Sequence, residues 1–405
     1  MSQGIKELVF MTEDEQLIEL CKLYWEIGQD GSFVHTVTSL AKQKGTTSHK
    51  KISQLVSAHC KAYIHGLVCS NCGKQLSVST RTEYEQYSRS IERGEKYICS
   101  DCDAKEAKQK AERAEAERRD KVRIIKDSYS QIEIPLVDPK DLSFEEAVYL
   151  LALIRAGAYE DYSSIRPLEL FETPLSPQEE LDYEIVKTLY RNNQLFVHPD
   201  SSPDAFTPFV DGKIDKFYVG KVMWLWRPIN NEVEKNEPWR LAAEIEKIFK
   251  TDNWPTQWKE NEEHIELWKK IALNECFVYL QHSLNQHQMS FTPGEKTTQT
   301  FLSLLNDFSV GQMWCFIWRA SKDAAAYYQR GGVSKKQAAN SVVGSIQRQA
   351  ERAIAGEWDV PNYRRIPQIP VSMITQVLFV TALKIGDNWM EYSLKLWGNK
   401  SDVNT

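Results

Sequence analysis

The sequence predicts a mainly α-helical, multidomain protein that carries one small cysteine-rich ribbon. Three observations predict it. Apolar residues recur at helical spacing over residues 13–28 and again through most of the chain beyond Glu237. Residues 104–126 are rich in Lys, Glu, Ala and Arg and contain neither Gly nor Pro. Two Cys-x-x-Cys pairs, Cys69/Cys72 and Cys99/Cys102, interrupt the helical pattern. At 405 residues the chain has room for several domains.

Taken in order, Leu17, Leu20, Cys21, Tyr24 and Ile27 share one face of a first helix, ended by Asp30-Gly31. A second helix is expected over 37–44, with Thr36 as N-cap and Gly45 as its stop. A third is expected from about Ser48 to Tyr63, with Ile52, Leu55, Val56 and His59 or Cys60 inward. The small Ala41 lets the helices approach, and Gly45 permits the turn, which is a helix-turn-helix layout.

In Cys69-Ser70-Asn71-Cys72-Gly73 and Cys99-Ser100-Asp101-Cys102, two residues separate each pair of thiols. That spacing lets both sulfurs of a pair reach one tetrahedral ion, and Gly73 permits the knuckle turn. Four thiolates leave no position open to water, so the expected role is one structural Zn2+. Val68 and Tyr97-Ile98 are expected as the strands that bring the pairs together. The 26 residues between the pairs imply an insertion, with a helix expected over 81–93. A thioredoxin-like redox pair is disfavoured because no βαβ pattern surrounds either pair. Cys21, Cys60, Cys276 and Cys315 lie in apolar helical contexts and read as core.

Residues 104–126 read as a solvated linker helix, since the apolar positions are mostly Ala. Ser143-Phe144-Glu145-Glu146 has capping-box spacing ahead of an apolar helix at 147–156. Ser176-Pro177-Gln178-Glu179 repeats the signal, with Pro at the first helical position, ahead of a helix reaching Arg191. Residues 195–197, 217–219 and 222–226 read as strands around a polar loop. Beyond them, helices are expected over 239–249, 262–285, 297–306, 310–329, 334–355 and from 372 to 389 or beyond. Pro361, Pro367 and Pro370 break the path before the last.

Net charge is −6, so any surface for a polyanion must be local. One such stretch exists. From residue 31 to 82 there is no Asp or Glu, while Lys42, Lys44, Lys50, Lys51, Lys61, Lys74 and Arg81 are present. Thr46, Thr47, Ser48, His49, Lys50, Lys51 and Ser53 would stand near the start of the third helix. These are short donors and cations suited to phosphates and base edges. Lys42, Lys44, Lys50, Lys51 and Lys61 are expected at phosphates, and Ser48, His49 and Ser53 at bases, with DNA ahead of RNA. A second acid-free stretch lies between Ala324 and Gln349, with Arg330, Lys335, Lys336 and Arg348. Arg352, Arg364 and Arg365 follow, interleaved with Tyr327, Tyr328 and Tyr363.

The helices at 37–63 and the knuckles at 69–73 and 99–102 resemble winged-helix and zinc-ribbon modules. The resemblance covers about a sixth of the chain and picks out no particular family. It implies DNA-binding or transcription-associated function. The expected organisation is a helix-turn-helix at 1–66, the ribbon at 67–103 and the linker helix at 104–130. An α+β winged-helix-like unit at 131–235 and a helical domain at 236–405 complete it, and these would sense a ligand or recruit a protein.

No apolar run has the length of a signal-peptide core or a membrane span, so a cytoplasmic protein with no membrane partner is expected. Nucleophile elbows, phosphate loops, HExxH and dinucleotide fingerprints are missing from the sequence, so catalysis is not expected. Two rival readings remain open. One is an accessory subunit of a bacterial or phage-related complex. The other is a nuclease using Arg191 and His198.

Overall fold

The computed structural model describes residues 4–45, 48–210, 213–229, 239–251 and 254–401. The chain divides into two compact units, Met1–Arg118 and Arg119–Thr405.

The first unit opens with a strand the sequence did not announce, β1 (Ile5–Phe10). Helix α1 (Glu15–Trp25) follows, capped by the Asp14 carboxylate on the amides of Gln16 and Leu17. Helix α2 (Val37–Gln43) has the expected Thr36 cap. Its chain then turns at Gly45, whose φ of +66° favours glycine. Helix α3 (His49–His59) is shorter than expected. Residues 60–63 leave it and open strand β2 (Cys60–Val68), in which Cys60, Ala62 and Ile64 alternate inward.

Strand β3 (Gln75–Val78) completes an antiparallel sheet of order β1-β2-β3, with Phe10 opposite Cys60 and Ala62 opposite Val78. Leu20, Tyr24, Trp25, Leu40, Ile52 and Val56 pack with the inward side of this sheet. Helix α4 (Arg81–Glu92) starts on a capping box between Thr80 and Glu83. Helix α5 (Ser100–Tyr129) is longer than the expected linker and begins inside the second cysteine pair.

In the second unit, α6 (Phe144–Gly157) is buried along nearly its whole length and has the expected Ser143/Glu146 capping box. Helix α7 (Glu179–Arg191) begins two residues later than expected. Pro177 lies outside it, and the Ser176 hydroxyl donates to the Gln178 carbonyl instead of capping.

The expected strand pair is elaborated. Strand β4 (Leu195–Val197) pairs with β7 (Trp224–Trp226), while β5 (Phe206–Val210) and β6 (Lys213–Phe217) form a separate hairpin between them. The remainder is helical: α8 (Arg240–Lys250), α9 (Thr256–Glu260), α10 (Glu263–Asn285), α11 (Glu295–Asp307), α12 (Val310–Gln329) and α13 (Lys335–Ile354). The last expected helix is instead a short α14 (Met373–Thr375) running into a π-helical segment, Gln376–Ala382.

Phe144, Trp258, Trp268, Trp314, Phe316 and Phe379 are fully buried in one continuous core. Among the described residues, no helix is long and apolar enough to cross a membrane.

Candidate metal centre and basic corner

The four cysteines meet although 26 residues part the two pairs. Cys69 follows directly on β2, and the turn to β3 carries Cys72 and Gly73 (φ +72°). The Gly73 amide donates to the Cys69 carbonyl (2.8 Å), and the Cys69 amide donates to the Lys74 carbonyl (2.9 Å), closing the knuckle. A short parallel bridge between Cys69 and Tyr97, with Ser70 N–H donating to Tyr97 O at 2.7 Å, fixes the second pair beside the first. Cys99 stands just before α5 and Cys102 in its first turn, where the helix dipole favours thiolate.

All four sulfurs lie within 4.8 Å of one another. Cys72 Sγ and Cys99 Sγ are 3.7 Å apart. A tetrahedron with Zn–S bonds of about 2.3 Å has edges of about 3.8 Å, whereas a disulfide needs about 2.05 Å. The separation therefore suits ligands on a shared ion and excludes a Cys72–Cys99 bond in this geometry.

The Cys99 amide donates to Cys69 Sγ at 3.3 Å. Backbone amides, that of Cys99 first and that of Cys72 next, hold the Cys69 thiol down to about pH 6. The neighbouring thiols, Cys72 first and Cys99 next, push Cys102 up to about 12. Cys69 is thus ready to ionise while Cys102 resists, as expected of crowded like charges that a cation would neutralise. The four cysteines can hold a metal ion. His65 is exposed and the four thiols already complete a ligand set without it. Cys21, Cys60, Cys276 and Cys315 are buried, as expected of core residues.

The basic corner is smaller than the sequence suggests. Arg81 is only 9% exposed and is part of the core. Its Nε donates to the Tyr24 carbonyl (2.7 Å) and its Nη1 to the His35 carbonyl (2.6 Å); Nη2 also reaches the Tyr24 carbonyl. The guanidinium lies over the rings of Tyr24 (4.4 Å) and Phe33 (4.2 Å). A cation at a helix N-terminus opposes the dipole, and that signal alone could have flagged an inward-directed arginine. Lys74 pairs with Asp101 at 2.9 Å.

Lys42, Lys44, Lys50, Lys51 and Lys61 remain exposed. Ser48 is the N-cap of α3, accepting from the Lys51 amide, and the Ser53 hydroxyl accepts from Tyr24 Oη at 3.4 Å. His49 is exposed, with Nδ1 3.3 Å from Thr38 Oγ1. Thr46 and Thr47 lie outside the described residues.

His198 is half-buried, and its Nδ1 accepts from the Asp200 amide at 3.0 Å, within the turn after β4. Burial lowers its pKa, so the ring is largely neutral at pH 7. Asp200 is held by Lys126 at 2.8 Å, and Arg191 is exposed at the end of α7. In the C-terminal basic stretch, Arg352 pairs with Glu357 (2.6 Å) and Arg365 with the buried Glu275 (2.7 Å).

No known protein family, curated protein or solved structure matches this chain.

Proposed function

We propose that the first unit holds one structural zinc ion and docks on nucleic acid, duplex DNA ahead of RNA, without catalysis and in the cytoplasm. The observation that carries the reading is the coincidence of a four-cysteine knuckle with five exposed lysines in the same unit, Lys42, Lys44, Lys50 and Lys51 at the α2–α3 corner and Lys61 on β2. No carboxylate lies in the sequence from residue 31 to 82. Lys50 and Lys51 sit in the first turn of α3, where the helix dipole favours phosphate. The lysines supply positioning contacts, and His49 is the side chain of the trio Ser48, His49 and Ser53 left most free to meet a base edge.

The number of lysines limits the salt dependence. Each neutralised phosphate contributes about 0.9 to the slope of log K against log salt, so five lysines allow a slope of at most about −4.5. The test is fluorescence anisotropy of the full chain on duplex DNA, single-stranded DNA and RNA across a salt series. Lys50→Ala/Lys51→Ala should weaken binding and flatten the slope by about 1.8. Equal binding by variant and parent overturns the assignment, and leaves a protein-docking role for the knuckle. Elemental analysis should give one zinc per chain, and Cys99→Ser should lose it.

A further inference from the structure

The second unit contains a cavity of about 730 Å³ between α6, the 363–365 segment, the π-helical segment and the 387–391 turn. Its inner wall is built and committed. Arg365 is ion-paired to Glu275, which is 1% exposed, and the Thr375 hydroxyl donates to the other Glu275 oxygen at 2.8 Å. Arg155 is held by Glu246 (2.6 Å) and by Thr381 (3.0 Å).

The rim differs. Arg364, Gln376, Asp387 and Asn388 line the cavity with exposed side chains, and Glu391 joins them. None of these five side chains has a hydrogen-bond or ion-pair partner among the described residues. The backbone carrying them departs from regular geometry. Gln376 opens a π-helix, and the loop into Asp387 passes through positive φ at Lys384 (+53°) and Gly386 (+81°). Such departures persist where the surrounding packing imposes them, and they gather at ligand sites.

We propose that this cavity binds a phosphorylated sugar, free or as a nucleoside monophosphate. The rim presents one unpaired guanidinium, two unpaired carboxylates and two amides. A purely anionic ligand would face Asp387 and Glu391, and a purely cationic one would face Arg364. The ligand therefore carries both an anion and hydrogen-bond donors. A phosphate matches the guanidinium fork. Neighbouring sugar hydroxyls supply donors to the acceptor-only carboxylates. Free amino acids have the same charges but are too small for this space, which falls in the range of pockets that enclose ligands of nucleotide bulk.

The experiment is calorimetric titration of the full chain with ribose 5-phosphate, nucleoside 5′-monophosphates, an unphosphorylated nucleoside, inorganic phosphate and a free amino acid. Saturable binding is expected for ribose 5-phosphate or a monophosphate and not for the other three. Binding by ribose 5-phosphate identifies the free sugar as sufficient; binding by monophosphates alone adds the base as a determinant. Arg364→Ala, and separately Asp387→Asn/Glu391→Gln, should each weaken it at least tenfold. Should Arg364→Ala lower the ligand-free melting temperature, Arg364→Lys keeps the charge without the fork and gives the same readout. The proposal is overturned if neither phosphorylated class binds below about 1 mM. It is equally overturned if inorganic phosphate or the amino acid binds as tightly, or if binding survives both sets of substitutions.

Discussion

Replacing Arg365 with Met removes the cation paired with Glu275, a carboxylate buried on α10 and also held by Thr375. Breaking a buried pair from one side typically costs about 3–5 kcal/mol, because the remaining charge keeps its desolvation penalty. The pH dependence makes the test specific. Burial raises the Glu275 pKa above its ordinary 4.5, against the pull of Arg365 and Thr375. A raised pKa means that the native state binds the proton more firmly. Its contribution to stability is complete below 4.5 and is lost as pH rises through the folded value.

Without Arg365 that folded value climbs further, so the variant loses stability over a wider span of pH. Urea unfolding followed by tryptophan fluorescence is well placed to read this. Trp314 and Trp389 flank the guanidinium at 5.6 and 5.7 Å. At pH 8 the deficit against the parent should be about 3 kcal/mol or more, and at pH 5 clearly smaller. Glu275→Gln/Arg365→Met should recover most of the pH 8 deficit, giving a coupling energy of more than about 1 kcal/mol in the double-mutant cycle. Equal deficits at both pH values, with no recovery in the double variant, would refute the buried-pair argument.

Two further outcomes follow from the described contacts. Arg81→Met removes charge-assisted hydrogen bonds to the carbonyls of Tyr24 and His35 and the stacking on Tyr24 and Phe33. It should destabilise the first unit by about 3 kcal/mol and speed amide exchange in α1 and α4, and Arg81→Lys should restore little because it lacks the fork. Protection unchanged in both helices would contradict this. Asp182, on α7, has its pKa pushed up to about 6, mainly by burial and against a hydrogen bond from Ser176. Its native state holds the proton more firmly, so that contribution is present below 3.8 and lost as pH rises through about 6. Asp182→Asn should therefore gain stability relative to the parent between pH 4 and 7, by on the order of 1–3 kcal/mol. Thermal denaturation curves of the two proteins that stay parallel across that range would count against it.

Local signals were readable wherever local chemistry decides the structure. Thr36 and Ser143 cap helices as expected, because an N-cap and its N3 partner lie within one turn of each other. The cluster of four cysteines that could hold a metal was readable for the same reason, since each half sits in four consecutive residues. The third helix was overextended because Ile52, Leu55, Val56 and Cys60 satisfy helical spacing up to the point where pairing with β1 and β3 takes over. The period-two burial of Cys60, Ala62 and Ile64 was the available clue.

Charge counting placed Arg81 and Lys74 on an open surface. Their partners Tyr24, His35 and Asp101 lie 57, 46 and 27 positions away, and composition carries no such information. The cavity in the second unit was hidden for a stronger version of that reason. It gathers Arg155 with residues more than two hundred positions later, and the π-helical turn beside it has no sequence period of its own.

The placement of the four cysteines has a topological consequence. With an ion on them, the segment from Cys69 to Cys102 becomes a closed ring of chain, and β3 and α4 are its contents. Neither can peel away from the sheet by fraying from an end, because the ring supplies no free end. Metal release would therefore loosen α4, the first turn of α5 and the edge strand together, as one cooperative opening and not as three independent ones.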